Sequence, residues 1–240
     1  LQGLRIVQVS DTHVGTLIHN EYLSKCVEII RGLRADMLIA TGDIIDNNNY
    51  FIPVAGRFFR PLVDALPLGA YGIPGNHDHI DNGAVAVSGL RSSGLQMLVN
   101  QTAVISRGRG RLNIMGLDYP WGPNRRDSER RRNKSREYFQ RAELQKFPDA
   151  PTMVLNHHPM EFEYLKNENI DLVFAGHTHG GQIVLNEDRS SALNLARNFY
   201  EFYRGHYVRN DRQLYVNSGL GHWFPLRIDC PPEITLIELV

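Results

Sequence analysis

Five short segments of this 240-residue chain carry side chains that bind divalent metal ions through carboxylate oxygen, amide oxygen or imidazole nitrogen. Each segment follows directly after a predicted β-strand. In an open α/β sheet the carboxyl ends of parallel strands share one edge, and ligands bind there. The pattern therefore predicts that distant parts of the chain meet at one metal site. The segments are Asp11-Thr12-His13, Gly42-Asp43-Ile44-Ile45-Asp46, Gly75-Asn76-His77-Asp78, His157-His158-Pro159 and Gly176-His177-Thr178-His179.

These residue types suit the hydrolysis of a phosphate ester. Two cations about 3.5–4 Å apart can share one carboxylate, clamp a phosphoryl group and lower the pKa of a bridging water, so that hydroxide attacks phosphorus in line. The leaving oxygen then needs a proton or a cation, and a histidine beside the metals can supply the proton. We assign this role, or stabilisation of the transition state, to His77. Asp78 would fix the His77 tautomer, and Asp46 would hold one ligand from behind.

The elements that position these segments alternate between short apolar runs and helical patterns. Near-continuous apolar strands separated by helices indicate a sheet covered on both faces. We predict an α/β fold with a mixed sheet or sandwich, in one domain over residues 1–240, with Asn20 as a helix N-cap. The predicted strands lie at 4–9, 36–41, 68–73, 153–155, 171–175, 182–185, 213–217 and 233–239, and the predicted helices at 20–34 and 52–66.

Composition excludes several classes of protein. Hydrophobic residues at 42% and charged residues at 22% are typical of a globular domain. The formal net charge of zero provides no overall attraction to nucleic acid, and we expect no specific nucleic-acid binding. The two cysteines exclude a disulfide framework and a multi-cysteine zinc site. No apolar run approaches the roughly 20 residues of a membrane span.

Three further signals each allow two interpretations. Residues 125–141 carry eight basic side chains, including Arg125 and Arg126, against three acidic ones, and form either a positive rim for phosphate or anionic lipid, or a solvated helix. The aromatic run at 198–207, with Trp223 and Phe224, forms either an apolar groove for acyl chains or ordinary core packing. Of the adjacent pair at 157 and 158, the order of residues before the proline favours His157 as the ligand.

The order Asp-x-His, Gly-Asp-x-x-Asp, Gly-Asn-His-Asp, His and Gly-His-x-His resembles the calcineurin-like metallophosphoesterases, from residue 4 to about 240. The resemblance implies a four-layer α-β-β-α sandwich of two mixed sheets flanked by helices, the metallophosphatase fold. It also implies two metal ions that share Asp43, with His77 as the catalytic histidine that binds neither ion. The first ion would be held by Asp11, His13, Asp43 and His179, and the second by Asp43, Asn76, His157 and His177.

The donor mixture excludes calcium and leaves manganese, iron, zinc or cobalt, of which the resemblance favours Mn²⁺. The run at 176–182, Gly219-Leu220-Gly221 and Pro231-Pro232-Glu233-Ile234 are similar to a bacterial envelope-associated branch. This branch includes YkuE- and YaeI-like phosphodiesterases and the UDP-2,3-diacylglucosamine pyrophosphatases of lipid A biosynthesis. The implied substrate is a phosphodiester or pyrophosphate of an envelope or lipid precursor, such as a lipid-linked nucleotide-sugar, with peripheral membrane contact.

Other functions remain open on the same residues. The alternatives are a broad-specificity phosphodiesterase or phosphatase, including a nuclease or a phosphoprotein phosphatase, and a non-catalytic binding scaffold. The chain begins at Leu1 rather than Met, so its residues do not determine a location. The expected location is the bacterial cytoplasm or the cell envelope. An N-terminal anchor ahead of Leu1 is one arrangement that would place the protein at the envelope.

Overall fold

Two mixed β-sheets form the centre of the molecule. The computed structural model describes residues 1–121, 127–166, 168–185, 193–194, 196–222 and 224–240. The strands of these ranges, in chain order, are β1 (Arg5–Val9), β2 (Met37–Thr41), β3 (Ala70–Ile73), β4 (Gln96–Met97), β5 (Gln101–Arg107), β6 (Gly110–Gly116), β7 (Thr152–Leu155), β8 (Leu172–Ala175), β9 (Val184–Leu185), β10 (Leu193–Asn194), β11 (Gly205–Arg209), β12 (Arg212–Val216) and β13 (Thr235–Glu238).

Both large sheets have a parallel centre with an antiparallel edge. In the first sheet, of order β13-β1-β2-β3-β4, strands β1 to β4 run parallel and β13 is antiparallel to β1. In the second, of order β11-β12-β8-β7-β6-β5, the four central strands are parallel and both edge strands are antiparallel. Strands β9 and β10 pair separately. The parallel strands bring their carboxyl ends, and the loops that follow them, to one edge of each sheet.

Helices cover the outer face of each sheet. Side chains of the first three helices pack with Val7, Val9 and Leu38 of the first sheet, and side chains of the last two pack with Val154 and Val173 of the second. The helices of the described residues are α1 (Asn20–Gly32), α2 (Ile52–Val63), α3 (Gly83–Ser92), α4 (Ser128–Glu143) and α5 (Glu161–Tyr164). None of them is both long enough and apolar enough to cross a membrane.

A third core lies between the two sheets. Because side chains alternate along a strand, Ile6 faces the second sheet while its neighbour Val7 faces the helices. Ile6 shares the inner core with Ile114 and Phe174 of the second sheet. The order of layers is therefore helix, sheet, sheet, helix, and the predicted four-layer sandwich of two mixed sheets is confirmed.

Some predicted boundaries differ from the structure. Helix α1 starts at Asn20 with His19 as its N-cap, so the prediction that Asn20 caps the helix is wrong. The same helix ends before 34 because Arg34 adopts a φ of 50°, outside the right-handed helical region. Helix α2 ends at Val63 rather than at 66, and strand β9 is shorter than the predicted 182–185. Helices α3 and α5 and strands β4, β5, β6, β10 and β11 were not predicted.

Candidate dinuclear metal centre

The carboxyl ends of the two sheets meet, and the predicted site lies where they meet. Buried Gln8 of β1 donates a hydrogen bond from Nε2 to the carbonyl oxygen of Ala175, at the end of β8, over 2.9 Å. Beyond the strands, the backbone N–H of His177 donates to both carboxylate oxygens of Asp11, at 3.1 and 3.0 Å. The loops of the first sheet are thus held against those of the second by direct hydrogen bonds.

The first cluster of candidate ligands comprises Asp11, His13 and His179, whose ligand atoms lie within 4.8 Å of one another. Nε2 of His13 is 3.1 Å from Nε2 of His179, which is itself 3.4 Å from Oδ1 of Asp11. All three side chains are buried. The structure therefore brings together three of the four residues predicted for the first ion, with Asp43 next to them.

The second cluster comprises Asp43, His157 and His177. Nε2 of His157 lies 3.2 Å from Oδ2 of Asp43 and 3.2 Å from Nδ1 of His177. The other nitrogen of His157, Nδ1, is 2.7 Å from the carbonyl oxygen of Thr41, which can only accept a hydrogen bond. The proton of a neutral His157 is therefore on Nδ1, and the lone pair of Nε2 points into the cluster.

Asp43 stands between the clusters. Its Oδ2 is 3.2 Å from His157 of the second cluster and 3.7 Å from His13 of the first. Burial alone would raise the pKa of Asp43, but the neighbouring His157 and His13 outweigh it and hold the pKa below its usual value. Burial opposes protonation of His157, yet the Asp43 carboxylate raises the pKa of His157 to about 9. The Asp43 carboxylate and the histidines around it therefore favour a positive charge, a proton or a cation, between them.

The donor atoms fit a pair of cations. Two facing imidazole nitrogens, such as those of His13 and His179, repel each other unless a proton or a cation lies between them. Asn76 lines the same cavity as Asp43 and His177, and its Oδ1 is buried with no hydrogen-bond partner among the described residues. A buried amide oxygen without a partner is costly, and a cation would satisfy it.

The backbone of the ligand loops is strained. Five predicted ligands that are not glycine have positive φ angles, a region that costs such residues about 1–3 kcal/mol. A Cβ at Gly75 would collide with the Asp43 carboxylate, so the close approach of the Asn76 loop requires glycine. Strain of this kind persists where the surrounding structure enforces it, and it gathers at functional sites. The φ angles are 48° at Asp11, 41° at His13, 49° at Asp43, 71° at His177 and 52° at His179.

The structure corrects the predicted role of Asp78. Its carboxylate accepts hydrogen bonds from the backbone N–H groups of Ile44, Ile45 and Gly75, and it is buried. His77 instead lies with Nδ1 3.2 Å from Oδ1 of Asp46. Burial opposes protonation of His77, but the hydrogen bond to Asp46 raises its pKa above the usual value.

Asp46 therefore orients His77, and Asp78 holds together the loops that follow β2 and β3. In the one-turn helix His77–His79, adjacent side chains point in different directions, which separates Asp78 from the ring of His77. Asp46 also lies with Oδ1 3.6 Å from Nδ1 of His13, on the side of that ring away from the cluster. This position agrees with the prediction that Asp46 supports a ligand from behind.

The neighbouring histidines take other roles. His158 packs its ring on that of His177, with centroids 4.5 Å apart, and places Nδ1 3.4 Å from the buried carboxylate of Glu161. Nε2 of His79 lies 2.7 Å from Oδ1 of Asp118, in the loop after β6. His157, rather than His158, is thus the residue in the cluster.

Three residues near the site lie outside the five motifs. The ring of Tyr119 lies 6.0 Å from that of His157, and the hydroxyl of Tyr200 lies 3.2 Å from Nε2 of His177. Arg227 donates from its guanidinium to the carbonyl oxygens of Ser218 and Gly221, behind His179. Tyr119 follows the carboxyl end of β6, so predicting β6 would have made it a candidate. Tyr200 belongs to the aromatic run at 198–207, for which an apolar groove was one interpretation, and the sequence offered no comparable signal for Arg227.

The basic run and the aromatic run each divide between two roles. Arg131 of α4 contacts the hydroxyl of Tyr119 at 2.5 Å, whereas Arg141 pairs with Glu137 on the solvent face of the helix. Phe202 is buried against Phe162 and Tyr207 in the second core, whereas Phe199 is 80% exposed. Phe199 and Tyr200 line a cavity of about 440 Å³ that also contains Asp43 and His77. Arg125, Arg126 and Trp223 lie outside the described residues.

Comparison with known proteins identifies the family. A family model described as calcineurin-like phosphoesterase matches residues 4–181. The chain belongs to the calcineurin-like phosphoesterases. The predicted class of metal-dependent hydrolase is thereby confirmed at the level of the family.

Similar proteins come from several bacteria. A protein of Helicobacter pylori J99, described as a metallophosphoesterase, is 30% identical, covering 99% of this chain and 60% of its own length. The UDP-2,3-diacylglucosamine pyrophosphatase LpxG of Chlamydia trachomatis is 28% identical over 99% of this chain and 84% of its own length. The crystal structure of TT1561 of Thermus thermophilus shows the same fold, with a TM-score of 0.59 and 15% identity over 90% of each chain. The chain thus spans only part of the Helicobacter relative.

Proposed function

We propose that this phosphoesterase hydrolyses a phosphodiester or pyrophosphate bond at a centre of two divalent cations, with Mn²⁺ as the preferred metal and Fe, Zn and Co as alternatives. The observation that carries the proposal is the position of Asp43, whose Oδ2 faces His157 in one cluster and His13 in the other. A carboxylate in this position can bind two cations at once, which is the arrangement of two-metal hydrolases.

The residues divide the work between binding and proton transfer. The cations, when bound, would neutralise the charge of a phosphoryl group and activate water for attack. They would be held by the two sets predicted from the resemblance, in which Asp43 belongs to both. His77 lines the cavity and uses Nδ1 for Asp46, so Nε2 is the nitrogen that holds a proton for the leaving oxygen. The set for the first cation comprises Asp11, His13, Asp43 and His179, and the set for the second comprises Asp43, Asn76, His157 and His177.

The proposed substrate is a lipid-linked nucleotide-sugar of the kind named for LpxG, UDP-2,3-diacylglucosamine. Support comes from the cavity beside the clusters, which is lined by Ala196 and the exposed ring of Phe199 as well as by polar groups. Phe224 and Leu226, also exposed, follow β12 at the same edge of the second sheet. Apolar side chains around the mouth of a site favour peripheral contact with a membrane. We therefore propose an envelope-associated bacterial enzyme.

Metal removal and a matched pair of variants test the reaction. Hydrolysis of bis(p-nitrophenyl) phosphate should stop on treatment with chelator and return when Mn²⁺ is added. Asp43→Asn should lose activity and bind fewer Mn²⁺ ions, because the shared carboxylate loses its charge. The control is Asp64→Asn, at the exposed C-terminal end of α2, which should behave as wild type. A protein that binds two Mn²⁺ ions and cleaves no phosphate ester would be a binding scaffold, contrary to the proposal.

A substrate panel tests the lipid assignment. UDP-2,3-diacylglucosamine, generic diesters, an oligonucleotide and a phosphopeptide should be compared with and without detergent. We expect the acylated nucleotide-sugar to have the highest kcat/KM and detergent to change its rate most. Preference for the oligonucleotide or phosphopeptide would instead establish a nuclease or a phosphoprotein phosphatase.

A further inference from the structure

Tyr200 approaches the second cluster from outside the five motifs. Its hydroxyl oxygen is 3.2 Å from Nε2 of His177, and the two rings meet edge to face with centroids 5.7 Å apart. Tyr200 lies in the segment that precedes β11, and this segment is joined to the His177 loop by a hydrogen bond from Oγ1 of Thr178 to the carbonyl oxygen of Tyr203, over 2.6 Å. The contact therefore lies between two connected segments.

The geometry of His157 determines which nitrogen of His177 must carry a proton. With a cation bound, Nε2 of His157 would present its lone pair to that cation, because the Nδ1–H of His157 donates to Thr41. Nδ1 of His177 faces that same Nε2 at 3.2 Å. A cation shared by the two rings requires a lone pair on Nδ1 of His177 as well, so the proton of His177 must lie on Nε2. There it can be donated to the oxygen of Tyr200.

The aromatic rings that pack against His177 do not determine which of its nitrogens carries the proton. His158 stacks on it at 4.5 Å with an interplanar angle of 39°, and Tyr119 lies 6.3 Å away at 37°. These contacts restrict the plane of the ring, but they do not distinguish Nδ1 from Nε2. Among the described residues, it is the hydroxyl of Tyr200 that lies within hydrogen-bond distance of Nε2 of His177.

We propose that Tyr200 is a positioning residue for His177: its hydroxyl accepts the Nε2–H and keeps the Nδ1 lone pair directed at the second cation site. This inference rests on the proposed two-cation centre. A hydrogen-bond partner behind a ligating histidine fixes its tautomer and orientation, and removing such a partner typically lowers metal affinity about 10–100-fold.

The affinity test uses Mn²⁺ alone and needs no substrate. Titration of metal-free protein, followed by the electron paramagnetic resonance signal of free Mn²⁺, should show two sites in wild type. In Tyr200→Phe one site should weaken by about 10–100-fold while the other is unchanged. Tyr203→Phe is the matched control, since it removes a hydroxyl from the same segment, and it should match wild type. Equal Mn²⁺ binding by wild type and both variants would overturn the proposal.

A second measurement tests the tautomer directly. Long-range ¹H–¹⁵N spectra of the imidazole rings should show His177 as the Nε2–H form in wild type loaded with Zn²⁺, because Nδ1 then binds the metal. An Nδ1–H form of His177 in the Zn²⁺-loaded wild type would overturn the proposal without any variant. If wild type bound fewer than two Mn²⁺ ions, the proposed function would fail, whereas two ions in wild type and equal affinities in Tyr200→Phe would overturn the role of Tyr200 alone.

Discussion

Asp46 and Asp78 belong to neighbouring motifs, yet the same Asp→Asn substitution is expected to have opposite effects at the two positions. Asp78 is buried and accepts three backbone N–H groups at 2.8–3.0 Å, from Gly75, Ile45 and Ile44. An asparagine keeps one acceptor oxygen and turns an NH₂ group toward donors. A buried donor left without a partner costs about 1–3 kcal/mol.

For Asp78→Asn we therefore expect a loss of about 2–3 kcal/mol in the free energy of unfolding. For a domain of this size, each kcal/mol lowers Tm by roughly 2–4 °C, which corresponds to a fall of roughly 4–12 °C. Because no hydrogen bond joins Asp78 to the ring of His77 in the structure, kcat of the folded fraction should stay within a few-fold of wild type.

Asp46→Asn should do the reverse. The side chain of Asp46 is 27% exposed and lies 3.2 Å from Nδ1 of His77 and 3.6 Å from Nδ1 of His13. Asparagine can still occupy this space, so unfolding should change by less than about 1 kcal/mol. The loss of the charge that orients His77 should lower kcat about 10–100-fold, the usual effect of removing such a partner.

The assay combines thermal unfolding, followed by circular dichroism, with initial rates on bis(p-nitrophenyl) phosphate at saturating Mn²⁺. Rates should be measured below the Tm of every variant, with Asp64→Asn as the control. The reasoning is refuted if Asp78→Asn keeps the wild-type Tm but loses kcat while Asp46→Asn remains active. That result would show that Asp78, rather than Asp46, orients His77.

Three other predictions follow from the structure. His77→Ala should retain two Mn²⁺ ions by titration and lower kcat by roughly 10²–10⁴, the usual contribution of one acid–base group, and a normal rate would refute its role. Phe202→Ala should lower stability by about 3–5 kcal/mol in denaturant unfolding because Phe202 is buried, whereas Phe199→Ala, 80% exposed, should leave stability unchanged and weaken turnover of the acylated substrate only. Glu233 accepts hydrogen bonds from the hydroxyls of Tyr215 and Thr235 and from the N–H of Ser218. Burial alone would raise the pKa of Glu233, but these hydrogen bonds hold it below the usual 4.5. The unfolded chain therefore binds a proton at Glu233 more readily than the folded protein does. The stabilisation by the Glu233 carboxylate is present above pH 4.5 and is lost as the pH falls below that value, so Glu233→Gln should make the free energy of unfolding less dependent on pH. Identical pH profiles of unfolding for wild type and Glu233→Gln would contradict this prediction.

The location of the site was predictable because its candidate ligands follow strands. Asp11, Asp43 and His177 come directly after strands with near-continuous apolar patterns, so the rule for parallel sheets places them at one edge. The roles of side chains within one turn were not predictable in the same way. Asp78 is adjacent to His77 in sequence, but its direction depends on backbone N–H groups more than 30 residues away.

The unpredicted strand β6 shows a second reason for failure. Asn113 interrupts its apolar run, yet Asn113 is fully buried. Its Nδ2 donates to the carbonyl oxygens of Phe147 and Ala150, and its Oδ1 accepts from the N–H of Phe147. A buried polar residue whose partners lie more than 30 positions away resembles a surface residue in the sequence. Missing β6 also meant missing Tyr119 at its end.

The amino-acid sequence by itself predicted an α/β fold and the meeting of five motifs at one edge, because apolar strands, helical periodicity and the residue types at strand ends are local patterns. The division of the candidate ligands into two sets came from the family resemblance. Only the tertiary structure decided which polar group faces which imidazole. Asp46 with His77, Tyr200 with His177 and Thr41 with His157 are pairs that come from different segments of the chain. Their contacts depend on how the two sheets bring those loops together, and each hydrogen bond is sensitive to displacements smaller than any sequence pattern describes.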